Sequence, residues 1–235
     1  MFFSLQEQYC AAIIGATGGI GHALGELISR DPRCGLLARL SRQSEPAIDF
    51  NDEDSLVRAA RHFNDQNIQF DALIIATGVL TAPDGTPPEK AFRDLKAETL
   101  QQILAVNTVG PALALKHFLP LLPRKNRCLV ATLSARVGSI GDNDLGGWIS
   151  YRTSKAALNQ ITRTAAIEQK RRNPESVCVA LHPGTIETDL SRPLARGKFT
   201  HSPEACARNL ISVLDTLPAD QTGRFFDYAG SEVEW

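Results

Sequence analysis

The sequence predicts one α/β domain in which helices cover both faces of a parallel β-sheet. The chain has 235 residues, which is the size of one large domain. Short apolar runs alternate along it with stretches of helical periodicity. Because no hairpin-type turn joins consecutive apolar runs, the strands are expected to be parallel and buried on both faces. We therefore expect residues 1–235 to form a single doubly wound domain.

The strands are predicted from apolar runs of strand length. They lie at residues 10–14, 35–40, 71–76, 127–133, 177–181 and 224–228. Apolar residues at helical spacing predict the intervening helices, at residues 20–30, 52–64, 99–122, 150–171 and 204–217. Asp31-Pro32 ends the first helix because proline cannot continue one. Acidic residues stand in the first turn of the second helix, where they favour its start.

Two polar segments are predicted to be loops. Residues 79–90 are rich in Pro, Gly and Asp, which is typical of a surface loop. Residues 191–203 are polar and contain Gly197. We expect this second segment to form a flap over a substrate site.

The composition excludes several classes of protein. The net charge is −1, so no basic excess attracts nucleic acid or an anionic membrane. The first residues do not resemble a signal peptide, and no apolar run approaches the roughly 18 residues that a membrane span needs. The five cysteines form no CxxC pair, which argues against a disulfide framework and a metal site. These features favour a cytoplasmic protein that binds a small molecule.

A glycine-rich turn follows the first predicted strand and leads directly into a helix. Its glycines permit positive φ, and without side chains they let a phosphate reach the backbone amides. The helix that follows directs its positive end toward the phosphate. This arrangement predicts a Rossmann-type dinucleotide site. The residues assigned to it are Gly15, Thr17, Gly18, Gly19, Ile20 and Gly21.

The end of the second predicted strand indicates which dinucleotide is bound. A carboxylate at position 41 would bond the ribose 2′-hydroxyl of NAD and repel a 2′-phosphate. The residue is Ser41, and it is followed by Arg42, whose guanidinium can pair with the 2′-phosphate of NADP. We assign both residues to the cofactor site and prefer NADP(H), with NAD(H) as the alternative. The competing interpretation is that Arg42 is only a solvated surface cation.

Tyr151 and Lys155 lie four residues apart at the start of a long predicted helix, and therefore on one helix face. A free phenol has a pKa near 10 and is a poor base at neutral pH. A nearby ammonium stabilises the phenolate and lowers that pKa. The pair can then exchange a proton with an alcohol or carbonyl oxygen. An ordinary exposed helix pair is the alternative, since this spacing is common by chance.

Five features occur in an order that resembles the short-chain dehydrogenase/reductase family. They are the glycine turn, Asn107, a serine after the fourth strand, the Tyr151–Lys155 pair, and His182-Pro183-Gly184 after the fifth strand. The resemblance covers essentially the whole chain, and the joint pattern is specific although each motif is weak alone. Local strings such as residues 134–140 are similar to the branch of Sniffer-type carbonyl reductases and bacterial C-factor signalling proteins.

The resemblance implies a role for each matching residue. Tyr151 would be the general acid/base, Lys155 would bind the nicotinamide ribose and lower the pKa of Tyr151, and Asn107 would hold a relay water. Ala76 stands where the family usually has Asn. The remaining implied cofactor contacts are Asp49 and Phe50 at the adenine; Ala76, Thr77 and Gly78 at its ribose; and Pro183, Gly184, Thr185, Ile186 and Thr188 at the nicotinamide.

The serine departs from the family pattern. The substrate-binding Ser is usually the second of a pair, but here the pair reads Ser134-Ala135. Three alternatives are open: Ser134 takes the role, Ser139 reaches in, or Tyr151 polarises the substrate alone.

The sequence therefore predicts an NADP(H)-dependent oxidoreductase that interconverts a carbonyl and an alcohol. The alternative is a dinucleotide-binding signalling protein of the C-factor kind with little turnover, which the Ala135 departure motivates. The resemblance also implies a homodimer or homotetramer through the helices near residues 99–122 and 150–171. The substrate is a small molecule that the sequence does not name.

Overall fold

The computed structural model describes residues 1–82, 84–192 and 197–235. In it, six parallel strands form one sheet in the order β2-β1-β3-β4-β5-β6. The strands are β1 (Tyr9–Ile14), β2 (Cys34–Leu40), β3 (Ala72–Ile75), β4 (Cys128–Leu133), β5 (Ser176–His182) and β6 (Phe225–Asp227). The helices between them are α1 (Gly19–Ser29), α2 (Glu53–Asp65), α3 (Ala97–Leu104), α4 (Gly110–Phe118), α5 (Ile149–Arg172) and α6 (Pro203–Thr216).

Alternate residues of each strand face opposite layers of helices, so the sheet has two hydrophobic cores. Ile13 of β1 packs in the core beneath α1 and α6, with Leu24 and Leu210. Its neighbour Ile14 packs in the opposite core beneath α2, α4 and α5, with Phe118. The predicted doubly wound α/β fold is confirmed.

The chain changes direction across the sheet at β1. It passes from β1 to β2 on one side and then returns to β3 on the other side of β1. In an open parallel sheet, this reversal leaves a crevice at the carboxyl ends of the strands, where ligands bind. The glycine turn that follows β1 opens into that crevice.

The predicted helix over 99–122 is interrupted. The chain forms α3, then a π-helical segment over Ala105–Val109, then α4. A π segment contains one residue more per turn than an α-helix and is frequent at functional sites. Here it contains Asn107, and Pro111 follows it as the second residue of α4.

Two segments are predicted to be loops, at residues 79–90 and 191–203. The loop over 79–90 is not wholly at the surface, because Leu80, Ala82, Pro88 and Glu89 are buried. The expected flap over 191–203 falls partly on residues 193–196, which lie outside the described residues. No helix among the described residues is long and apolar enough to cross a membrane.

Candidate active site

A cavity of about 790 Å³ lies at the carboxyl ends of β1, β3, β4 and β5. This is within the range of cavities that hold cofactors and drug-sized ligands. Four chain segments line it, at residues 17–20, 76–78, 133–137 and 182–192, together with Trp148, Tyr151 and Lys155 from the start of α5. A second cavity lies beside α5, and Ser139, the alternative to Ser134, lines it.

The glycine turn has the backbone conformation and the close helix approach that its sequence predicts. Gly15 has a φ of +91°, which favours glycine. A Cβ atom on Gly21 would lie 2.2 Å from the carbonyl oxygen of Gly15, so the helix can approach the turn only with glycine there. Gly18 and Gly19 line the cavity, whereas Gly15 and Gly21 lie behind them and shape the turn.

The cavity fits a dinucleotide at this end. The turn offers bare backbone at the start of α1, where a phosphate is favoured by the helix dipole. Thr77, which follows β3, has a buried Oγ1 without a hydrogen-bond partner in the described structure. Such an atom is suited to form a hydrogen bond with a bound ligand. Ala76, Thr77 and Gly78 all line the cavity.

The start of α5 brings the two central residues together. Tyr151 and Lys155 both face the cavity, and the Lys155 Nζ atom lies 5.8 Å from the centroid of the Tyr151 ring. Lys155 is buried and donates a hydrogen bond to the carbonyl of Leu133 at 2.8 Å. Trp148 meets the Tyr151 ring edge-on, with 6.3 Å between centroids.

The titration of this pair differs from the expectation in one respect. Burial raises the pKa of Tyr151 to about 12 and lowers the pKa of Lys155 to about 8. The cause is desolvation, which disfavours the phenolate and the ammonium alike. Lys155 lies beside the ring of Tyr151, and its attraction does not offset the burial of the phenol. The neutral phenol is a proton donor at neutral pH.

Asn107 is fixed by the chain around it. Its Oδ1 accepts from the backbone N–H of Val79 at 2.7 Å, and its Nδ2 donates to the Val79 carbonyl at 2.8 Å. Nδ2 also donates to Ser154 Oγ at 3.0 Å. Asn107 is completely buried and ties the end of β3 to α5. A Cβ added to Gly78 would meet both Lys155 Nζ and Asn107 Oδ1, so the two side chains are close neighbours.

Ser134 and Ala135 both line the cavity, and Ser139 does not. The Ser134 hydroxyl is buried and donates to Asn159 Oδ1 at 2.5 Å. The Ser139 hydroxyl accepts from the backbone N–H of Asp142 at 3.0 Å. Of the two candidate serines, only Ser134 is therefore placed to reach a substrate, and it would have to share its hydroxyl with Asn159.

Besides Gly15, Gly21 and Asn107, four predicted cofactor residues do not line the cavity: Ser41, Arg42, Asp49 and Phe50. Ser41 and Arg42 follow β2, and Arg42 is exposed, whereas nearby Arg39 pairs with Glu26 on α1 at 2.9 Å. Asp49 accepts two hydrogen bonds from Asn51 in the turn before α2. Phe50 packs so closely on the helix at Gly110 that a Cβ there would overlap its ring.

The segment after β5 forms one wall of the cavity. It contains the predicted Pro183, Gly184, Thr185, Ile186 and Thr188. Thr188 lies against the glycine turn, since a Cβ on Gly19 would be 2.5 Å from its methyl group. Thr185 and Thr200 exchange two hydrogen bonds, of 2.7 and 3.0 Å, that tie the ends of the segment together.

Two polar groups near Tyr151 were not predicted from the sequence. Arg136 lines the cavity and pairs with Asp227 at 3.1 Å. Glu89 caps the helix that carries Tyr151. Neither had a sequence signal, because each pairs with a residue more than 60 positions away. Within the described residues, no group of three His, Cys, Asp or Glu side chains could hold a metal ion.

The sequence matches known proteins over most of its length. The profile of a family described as short chain dehydrogenase matches residues 9–198. A 1-hydroxy-2-glutathionyl-2-methyl-3-butene dehydrogenase from Rhodococcus sp. strain AD45 is 28% identical over 233 residues, which are 95% of this chain and 98% of that protein. The C-signal protein of Myxococcus xanthus is 36% identical over 146 residues, 62% of this chain and 84% of that protein.

Solved structures share the fold. The carbonyl reductase Sniffer of D. melanogaster superimposes with a TM-score of 0.79 at 22% identity, covering 98% of this chain and 100% of that chain. The NADPH-bound carbonyl reductase from chicken fatty liver gives a TM-score of 0.80 at 21% identity, covering 98% and 95%. At such identities, the likeness concerns the fold alone.

Proposed function

The chain belongs to the short chain dehydrogenase family of oxidoreductases, and from that premise we propose that it interconverts a carbonyl and an alcohol with NADP(H). Tyr151 would be the general acid/base. The observation that carries the proposal is the placement of Tyr151 and Lys155 in one cavity with the glycine turn. The Rhodococcus relative is named as a dehydrogenase, and the solved structure of the chicken carbonyl reductase is described as NADPH-bound.

The residues that would hold the cofactor are distributed along the carboxyl edge of the sheet. The glycine turn would bind the pyrophosphate and Thr77 would contact the adenine ribose. Thr188 and its neighbours would hold the nicotinamide. Arg42 is exposed, with no ion pair among the described residues, and is therefore free to meet a 2′-phosphate. When bound, the nicotinamide supplies or accepts the hydride.

Tyr151 and Lys155 would divide the proton chemistry between them. The high pKa of Tyr151 keeps its hydroxyl protonated, so it can donate to the oxygen of a carbonyl that is being reduced. The Lys155 ammonium lies beside the ring and would stabilise the phenolate that remains. Ser134 is the candidate to orient the substrate oxygen, by turning its hydroxyl away from Asn159.

The function is tested with a Tyr151→Phe variant. Removing the proton donor should lower kcat for carbonyl reduction by about 10²–10⁴-fold. The affinity for NADPH, measured by thermal shift and titration, should change little, because the ring is kept. The assay is NADPH oxidation with a panel of aldehydes, ketones and quinones. NADPH binding without turnover of any compound by the wild type would instead indicate the C-factor-like signalling protein.

We also propose that the protein is a cytoplasmic homo-oligomer. All five cysteines are free thiols, which suits a reducing compartment. The helices that the sequence analysis selected for association expose apolar side chains, with Val109 50% and Ile167 45% exposed.

A further inference from the structure

The helix that carries Tyr151 begins without a cap of its own. Trp148 precedes α5 in the left-handed conformation, with a φ of 50°, and makes no side-chain capping hydrogen bond. No acidic residue lies in the first turn. Since the first N–H groups of a helix lack partners within it, acceptors must come from elsewhere in the chain.

Glu89 supplies these acceptors from 61 residues earlier in the sequence. Its Oε2 atom accepts from the backbone N–H of Ser150 at 3.2 Å, and its Oε1 atom accepts from the Ser150 hydroxyl. Its backbone carbonyl accepts from the N–H of Trp148 at 2.5 Å. One residue of the preceding loop thus holds both the residue before α5 and the second residue within it.

The carboxylate of Glu89 is enclosed by protein. The residue is 4% exposed and forms no ion pair in the part of the chain that the structure describes. A buried carboxylate is costly unless hydrogen bonds and a favourable field stabilise it. The two Ser150 donors and the positive end of α5 provide both. The two side-chain oxygens of Glu89 therefore hold this turn in one conformation through their hydrogen bonds.

This turn sets the position of the reacting phenol. Tyr151 follows Ser150 directly, and the Trp148 ring packs against its edge. On the other side, the Arg152 Nε atom donates to the carbonyl of Gly147 at 3.0 Å. Movement of the Ser150 backbone would therefore displace both rings relative to Lys155.

We propose that Glu89 is a positioning residue for Tyr151, acting through the first turn of α5. The inference rests on the proposed function of Tyr151. Proton transfer requires the donor within hydrogen-bond reach of the substrate oxygen, so a loosened turn reduces the rate of the chemical step more than it reduces binding.

The test compares Glu89→Ala, Glu89→Gln and Ser150→Ala, with Lys90→Ala as the matched control because Lys90 is an exposed neighbour. Glu89→Ala should lower kcat per folded molecule at least tenfold, while the Kd for NADPH and the KM for the carbonyl change less than twofold. Glu89→Gln should keep most of kcat, since its amide can accept from the Ser150 N–H and donate to the Ser150 hydroxyl. Lys90→Ala should behave as the wild type.

Hydrogen exchange provides a readout that is independent of turnover. Glu89→Ala should speed amide exchange at Ser150 and Tyr151 at least tenfold, and leave the C-terminal half of α5 unchanged. If Glu89→Ala does not fold, Ser150→Ala should still show faster exchange and a severalfold lower kcat.

Three results would overturn the positioning role. One is a lower melting temperature with unchanged kcat per folded molecule, which would make the cap merely structural. Another is a Glu89→Gln variant as slow as Glu89→Ala, which would mean that charge rather than position matters. The third is unchanged exchange at Ser150. A wild type that reduces no carbonyl would contradict the proposed function. Hydrogen exchange would then test the position of the turn alone: faster exchange in Glu89→Ala would support the inference, and unchanged exchange would overturn it.

Discussion

At the scale of single residues, burial shifts the pKa values of Tyr151 and Lys155 in opposite directions, toward the neutral form of each. Tyr151 and Lys155 share the cavity wall, and desolvation opposes the charge on each of them. The phenol thus keeps its proton over the whole neutral range. The ammonium titrates much closer to neutral pH than an exposed lysine does. Lys155 is consequently the more pH-sensitive member of the pair.

We expect carbonyl reduction to lose activity as the pH rises through about 8. Below that pH Lys155 is charged, and above it the ammonium is lost, because its pKa is about 8. Tyr151 does not contribute to this limb, since its pKa is about 12. The measurement is the pH profile of kcat/KM.

Lys155→Arg is the control for this assignment, because a guanidinium stays charged across the range. It should remove the alkaline limb, even if the overall rate falls. An unaltered limb in Lys155→Arg would assign the titration to another group.

The choice of dinucleotide is predicted to depend on Arg42. Arg42→Ala should weaken NADPH binding about tenfold or more, since one charge-assisted contact is worth about 1.5–3 kcal/mol, and should leave NADH binding unchanged. Arg39→Ala is the matched control, because Arg39 is already paired with Glu26. Equal loss of both cofactors in Arg42→Ala would contradict the assignment, as would a wild type that NADH stabilises more strongly than NADPH.

At this scale, site residues could be predicted from the sequence where they lie close together along the chain. The glycine turn and the Tyr151–Lys155 pair are local patterns, and the structure brings both to the same cavity. The partner of the Ser134 hydroxyl could not be predicted, because Asn159 approaches from another element. The direction of the Tyr151 pKa shift was missed for the same reason, since burial depends on the whole fold.

At the scale of elements, the π-helical segment aligns three parts of the site. It turns Asn107 toward the backbone of Val79 after β3 and toward Ser154 on α5. A regular α-helix would present a different residue at this point, because it has fewer residues per turn. The segment thus connects the chain after β3 with Ser154 of α5, the residue beside Lys155.

Asn107→Ala should lower the free energy of unfolding by about 1–3 kcal/mol, because buried hydrogen-bond groups of Val79 and Ser154 lose their partner. Denaturant unfolding measures the change. Gln102→Ala is the control, since Gln102 is an exposed amide on α3, and should change stability far less. A stability equal to that of Gln102→Ala would show that the Asn107 bonds do not matter.

Most elements begin and end within one or two residues of their predicted bounds. β1 covers Tyr9–Ile14 where 10–14 was predicted, and α5 covers Ile149–Arg172 where 150–171 was predicted. Apolar periodicity marks these bounds directly. It does not mark the π-helical segment over Ala105–Val109. The cap from Glu89 depends on a tertiary contact and leaves no local signal.

At the scale of the whole molecule, the exposed apolar residues predict how copies associate. Sedimentation at several concentrations should show a dimer or tetramer, held through the helical faces that contain Val109 and Ile167. Replacing both residues with Glu should shift the protein toward the monomer, because buried charges without partners oppose association. Leu145→Glu is the control, since this residue is 91% exposed and precedes α5 instead of lying on a helix. A strictly monomeric wild type would contradict the proposal.

The tie between Thr185 and Thr200 has a practical consequence for protein engineering. The hydrogen bonds hold the two ends of the stretch between β5 and α6 side by side, so this stretch can be replaced as one unit. The entropic cost of holding the two ends of a chain segment together rises only slowly with the length of the segment, so longer inserts would cost little stability. A combinatorial library restricted to Asp189, Leu190 and Arg192, which line the cavity, would therefore vary this wall while the sheet, the glycine turn, Thr188 and Tyr151 stay constant.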